Sequence, residues 1–405
     1  MGGHAHDRLV AGASGRCGDG APLDEYPADE PLHDLTHVCR SGHRRGRHRA
    51  DRGPDRGLRD HQAPGTADRA SRHHSRRLRL AAGAHRQPRC EPHSGRGRGS
   101  RRRRPPPPIE GPVVTAPQVT PLRATIDRLS IPGMVDVHTH FMPEPVLAKV
   151  WKFFDAVEER TGNAWPITYR GDEEERLAQL RGFGVIAFTS MLYPHKPGMA
   201  AWLNGWSADF ASRTPDCLHT ATFFAEESAG ADVADALAAG ARVFKSHIQV
   251  GDYDPRDPLL DPVWGQLEDA GTPIVIHCGS GPDAGRFTGP GPVAEVLRRF
   301  PQLQLVIAHM GAPEYSEFLD LAEDHDRVHL DTTMAFHDFM EQLAPFPVAE
   351  RGRLVALGDR ILFGSDFPNI PYPYEEAVAA VVGLDLGDGW LRAVLHDNGA
   401  RMFGL

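Results

Sequence analysis

Eight short apolar runs rich in β-formers recur between residues 131 and 405, and helical amphipathic stretches separate most of them. The runs are 134–140, 185–192, 218–225, 241–248, 273–280, 303–311, 328–334 and 361–368. The stretches between them include 146–159, 200–212, 231–239, 293–300, 314–324 and 374–382. A last one, 390–403, is expected to close the floor of the sheet or to pack outside it. Regular β–α alternation argues a parallel sheet covered by helices. Eight units in 275 residues fit an α/β fold of the (β/α)8 TIM-barrel type, whose usual size is about 250 residues. The rival, an open doubly wound sheet, lacks the G-x-G-x-x-G that would follow its first strand.

The chain before this region is of another kind. Residues 1–110 hold 23 arginines, no lysine and 13 acids, a net +10, whereas residues 111–405 hold 22 basic and 41 acidic residues, a net −19. The whole-chain charge of −9 describes neither part. Arginine runs such as Arg101 to Arg104, followed by Pro105 to Pro108, come with no apolar periodicity, and low hydrophobicity with high charge predicts disorder. Residues 1–112 are therefore expected to be a disordered tail or a spurious extension from a start set too far upstream. An Arg-rich arm for nucleic acid is the third reading. Tyr26, alone among aromatics before residue 110, counts against it, because base stacking needs such rings. Residues 113–130 read as a polar lead-in.

No run approaches the roughly 20 apolar residues of a membrane span, and no secretory signal opens the chain. The five cysteines (Cys17, Cys39, Cys90, Cys217 and Cys278) are odd in number and form no C-x-x-C pair, which argues against a disulfide framework or a cysteine zinc site. A cytoplasmic protein with a small-molecule substrate is expected, with neither membrane nor nucleic acid as partner. A homodimer is compatible with this.

Polar groups in strands buried on both faces are costly unless satisfied. Here they gather at the C-terminal ends, where this fold keeps its active site. The first run ends Asp136-Val-His138-Thr-His140, and period 2 puts Asp136, His138 and His140 on one face. The fifth run is apolar up to His277, the sixth carries His309 before Met310-Gly311, and the eighth carries Gly364-Ser365-Asp366. Together these side chains suit one divalent ion such as Zn, Fe, Mn or Co. Asp136 is read as orienting a ligand histidine from behind. Lys245 and His247 share a face of the fourth run.

From residue 134 to the C-terminus the chain resembles the amidohydrolase superfamily, in particular the branch related to aminocarboxymuconate-semialdehyde decarboxylase. The motifs are Asp136-x-His138-x-His140, the His277 strand, His309-Met310-Gly311, Gly364-Ser365-Asp366-Phe367-Pro368 and the terminal Asn398-Gly-Ala-Arg401-x-Phe403. The resemblance implies that His138, His140, His277 and Asp366 ligate one divalent metal, zinc first. It also implies that His309 is an acid/base beside it. Lys245 reads as a structural or substrate-carboxylate contact, or, carboxylated as in some superfamily members, as a bridge between two metals. His247 either enters the site or caps its strand. Arg170 is a carboxylate clamp or an ordinary surface residue. The Gly/Pro-rich loop 279–292 is an anion cradle of backbone amides or a flexible lid. Cys278 is read as packing.

The leading expectation is a metal-dependent hydrolase of a small carboxylate, lactone or amide. Metal-activated water would attack the carbonyl, with Asp366 and His309 moving protons. The same site also suits non-oxidative decarboxylation of a small aromatic or muconate-like acid, and the sequence does not separate the two. A non-catalytic protein held on nucleic acid by the Arg-rich arm is the reading of another class.

Overall fold

A computed structural model of the protein describes residues 120–405. The expectations for residues 1–112, and for most of the lead-in, lie outside the described residues. Among the described residues nine strands form: β1 Met134–Asp136, β2 Val185–Thr189, β3 Cys217–Leu218, β4 Thr220–Thr222, β5 Val243–His247, β6 Ile274–His277, β7 Leu305–Ile307, β8 Val328–Asp331 and β9 Ile361–Leu362. Every hydrogen-bonded pair is parallel. β3 and β4 are two halves of one stave interrupted at His219, so the nine segments are the eight expected runs. Pairing divides them into β1-β2-β3 and β4 to β9. Backbone bonds then join the far edges: the Val137 amide donates to the Phe363 carbonyl at 2.9 Å and the Asp366 amide to the His138 carbonyl at 2.8 Å. The expected (β/α)8 barrel is the observed one.

The barrel interior is filled by small and branched side chains from successive strands, among them Val135, Ala187, Val243, Val275, Val306 and Leu362. Such a filled centre is a core and not a pore. The helix Asn398–Phe403 plugs its floor: Phe403 joins this interior cluster at 5% exposure. Gly399 lies so close that a Cβ there would stand 2.7 Å from Val135 Cγ1. Of the two places expected for the C-terminal stretch, the floor is the one taken.

Helices Ala200–Arg213, Ala229–Ala238, Asp261–Ala270, Pro290–Arg299, Tyr315–Asp324 and Tyr374–Val382 pack outside. Local sequence sets their ends. Proline occupies the first turn of Asp261–Ala270 and Pro290–Arg299, where its missing N–H costs nothing. Asp172 and Glu175 form a reciprocal capping box on Glu173–Gly182. The lead-in differs from its polar reading, because Pro121–Leu129 is a helix with Leu122, Ile126 and Leu129 buried in the main core. The spacing of those three residues is one helical face. Among the described residues no helix is long and apolar enough to cross a membrane.

Candidate metal centre

Three of the expected ligands converge at the C-terminal mouth of the barrel. One ligand atom each from His138, His140 and Asp366 lies within 4.8 Å of the others, and all three residues are buried. His140 Nε2 stands 2.9 Å and His138 Nε2 3.6 Å from Asp366 Oδ1. The outer nitrogen of each ring is already committed. His140 Nδ1 donates to the Met191 carbonyl and His138 Nδ1 to Asp331 Oδ2 at 2.9 Å. A carbonyl or carboxylate only accepts, so both Nδ1 atoms carry the proton and both Nε2 atoms present lone pairs. Lone pairs from two imidazoles and a carboxylate thus point at one another. A cation among them would draw on all three, and nitrogen and oxygen donors at these separations suit a divalent ion bound at about 2.0–2.2 Å. The residues fit the metal that the fold implies.

Asp331, at the end of β8, is the buried carboxylate that orients a ligand ring, and the sequence reading missed it. Its Oδ1 accepts from the amides of His309 at 2.9 Å and Thr333 at 3.1 Å. Burial opposes its charge, but His138 and His309 hold its carboxyl below the usual range. Asp136, expected behind a ligand histidine, holds the backbone of His138 rather than its ring. Its Oδ1 accepts from the amides of His138 at 3.2 Å and Ser365 at 3.1 Å, and its Oδ2 from the Tyr374 hydroxyl at 2.9 Å. Asp136 therefore ties the first and last strands together behind the site, and burial pushes its carboxyl up to about 7.

The backbone at the mouth is unusual. His309 has φ 56° and Asp366 φ 72°, left-handed values that cost a non-glycine residue roughly 1–2 kcal/mol each. Such strain persists where surrounding structure over-determines it. Here the Asp331 carboxylate holds the His309 amide, and the His138 carbonyl holds that of Asp366.

His309, His277, His247 and Lys245 line the same cavity, of about 1050 Å³. The His309 ring lies 5.0 Å from that of His138 and 4.8 Å from that of His277. Its Nδ1 donates to the Thr333 carbonyl at 3.2 Å, which leaves Nε2 as an acceptor toward the cavity. His277 stands apart from the three converging ligands: its Nε2 lies 3.2 Å from the Gly281 carbonyl. β5 and β6 pair His247 with His277, and their rings stack at 4.0 Å and 11°. His247 lines the cavity and also caps its strand end, accepting from the Val250 amide at 3.3 Å. Lys245 is fully buried with Nζ 3.3 Å from His138 Nε2, and burial lowers its pKa to about 8. Tyr193, unnoticed in the sequence, stands edge-on to His140 at 6.0 Å and 4.7 Å from the His247 ring. Burial, and then Asp366, push its hydroxyl above the ordinary range, so it is a donor.

Two expectations take a different form. Arg170 does not line the cavity; it pairs with Asp155 and lies over the Trp151 ring at 5.6 Å. In the loop 279–292 the amides of Ser280, Gly281, Gly285 and Gly289 donate to Glu314, Ala312, Thr288 and Cys278, so they do not form a cradle for an anion. Cys278 is fully buried, as its packing role requires.

The family model described as Amidohydrolase matches residues 135–405. Among solved structures, a TIM-barrel protein of uncharacterised function from Bordetella bronchiseptica is similar at a TM-score of 0.56 and 20% identity, over 67% of this chain and 98% of that one. An amidohydrolase II structure follows at 0.49 and 18%, over 67% and 100%. A Pseudomonas putida protein provisionally described as a 2-pyrone-4,6-dicarboxylic acid hydrolase is similar at 0.45 and 18%, over 67% and 98%. None of the curated proteins compared matches the chain. The family match spans the barrel and every residue of its mouth, and the chain belongs to the amidohydrolase family of TIM-barrel enzymes.

Proposed function

We propose that the protein is a metal-dependent hydrolase of a carboxylic ester, lactone or amide. The observation that carries this reading is the convergence of the His138, His140 and Asp366 lone pairs, with both Nδ1 protons held on the far side. A divalent ion held by these three residues, zinc first, supplies Lewis acidity: it polarises a carbonyl oxygen and lowers the pKa of water from 15.7 to about 7. Water attacking that carbonyl must give up a proton within about 3 Å. His309 Nε2, turned to the cavity by the Nδ1 bond to Thr333, accepts it and returns it to the departing oxygen or nitrogen. Asp366 Oδ1 is a second acceptor beside the same spot. The Tyr193 hydroxyl donates to the carbonyl oxygen as negative charge builds there. His277 stands beside His309, edge to face with its ring at 4.8 Å.

The test is incubation of the full chain, supplied with zinc, with esters, lactones and hydroxybenzoates in ¹⁸O-labelled water. One labelled oxygen in the acid product is expected. Release of CO2 without label would overturn the hydrolytic reading in favour of decarboxylation at the same site.

A further inference from the structure

The cavity has two unlike ends. At its base stand the histidines, Asp366 and Lys245; above them the wall is apolar. The helix Glu144–Asp155 makes much of that wall. It places Val146, Val150, Phe153 and Phe154 at i, i+4, i+7 and i+8, one helical face. A stripe of this kind ordinarily faces a core, yet in this helix Leu147 is the sole buried residue. The four stripe residues line the cavity, partly buried, and Val146 and Val150 also pack against a small buried cluster. The same lining includes Trp165, stacked on Phe154 at 5.2 Å, and Leu343, which is 41% exposed. A separate buried cluster of Met142, Leu147, Leu192, Met199 and Leu203 backs one side of this throat.

Charge in the throat is sparse and of mixed sign: Glu144, Lys149 and Asp283. Among the described residues no arginine lines the cavity, and Arg170 is turned away onto Asp155. A second carboxylate on the substrate would find no guanidinium there, and the one ammonium, Lys149, shares the lining with the carboxylates of Glu144 and Asp283. Open apolar surface of this extent marks a binding site. The volume of about 1050 Å³ is at the upper end for sites that enclose a ligand of drug size.

Resting on the hydrolytic reading above, we propose that the substrate is an ester, lactone or amide with a single anionic or carbonyl head and a long apolar or aromatic arm, the head at the histidines and the arm in the throat. Its acyl C–O or C–N bond breaks and a new C–O bond forms from water. The acid keeps the water oxygen, and the alcohol or amine leaves with the proton.

Binding tests this apart from turnover. The full chain is titrated calorimetrically with butyrate, hexanoate, octanoate and suberate. Affinity should rise roughly threefold for each added methylene up to octanoate. Suberate, as long as octanoate but charged at both ends, should bind at least about tenfold more weakly, because burying the second charge is unfavourable. A flat series, or suberate binding more tightly than octanoate, overturns the proposal. Leu343→Asp, at an exposed position, should weaken octanoate about tenfold and leave butyrate unchanged; an unaltered octanoate affinity also overturns it. If the affinities follow the proposal while the labelled-water experiment releases CO2, the hydrolytic reading fails and the assignment of the throat stands. If dicarboxylate esters are hydrolysed faster than octanoyl esters, the throat assignment fails and hydrolysis stands.

Discussion

Replacing Asp331 by Asn should weaken metal binding with little effect on folding. Asp331 Oδ2 accepts from His138 Nδ1 at 2.9 Å, and Oδ1 accepts from the His309 and Thr333 amides at 2.9 and 3.1 Å. The asparagine oxygen can keep both amide bonds only by turning its NH2 toward His138 Nδ1. Two donors then face each other, so the imidazole moves its proton to Nε2 and loses the lone pair it offers the metal. Loss of such an outer partner costs about 10–100-fold in metal affinity, which is about 1.4–2.7 kcal/mol. Asp331→Ala is a harsher change, because three buried donors lose their acceptor at about 1–3 kcal/mol each. Zinc affinity by competition with a chromophoric chelator, read beside denaturant midpoints, separates the two effects. The reasoning is refuted if Asp331→Asn binds zinc within about twofold of the wild type, against the much larger loss expected for a ligand's outer partner.

His309→Ala should retain metal and lower kcat by about 10²–10⁴, the range of a positioned acid/base; equal loss of metal in the variant would make His309 a ligand instead. Lys245→Met removes a buried cation 3.3 Å from His138 Nε2. Two unit charges 4 Å apart interact by about 4 kcal/mol at an effective dielectric of 20, so zinc affinity should rise at least about tenfold. Weaker binding would point instead to a carboxylated lysine acting as a metal ligand. Phe403→Ala empties the barrel floor and should lower stability by about 3–5 kcal/mol, read as a denaturant midpoint, with zinc affinity unchanged because the floor is at the opposite end from the ligands.

Much of the barrel was legible because several strands are apolar runs with polar residues gathered at the C-terminal end, a pattern that names both the strand and its functional end. His138, His140 and Asp366 stood out for that reason. Asp331 carries the same signal, a carboxylate ending the run Val328-His329-Leu330-Asp331, and was readable in principle. Asp136 precedes His138 by two residues, and its bond to the His138 amide is a contact that this spacing alone does not specify. Other features depend on contacts distant in sequence. Arg170 finds Asp155 fifteen residues back, and no local pattern separates that pair from a carboxylate clamp. The stripe on Glu144–Asp155 has the spacing of a core face, and spacing alone does not tell that Val146, Val150, Phe153 and Phe154 also line a cavity. The lead-in helix was hidden because three apolar residues among polar neighbours read as noise until the main core is present to cover them.

The central claim is that one divalent ion sits among His138, His140 and Asp366. Elemental analysis of the full chain, purified without chelator, tests it directly when set beside Asp366→Ala. A tight site of this type predicts about one metal per wild-type chain and less than about 0.1 in the variant. A wild-type content below about 0.1, or equal metal in both proteins, would contradict the account, because a site with these ligands should hold its ion and should lose it with one of them.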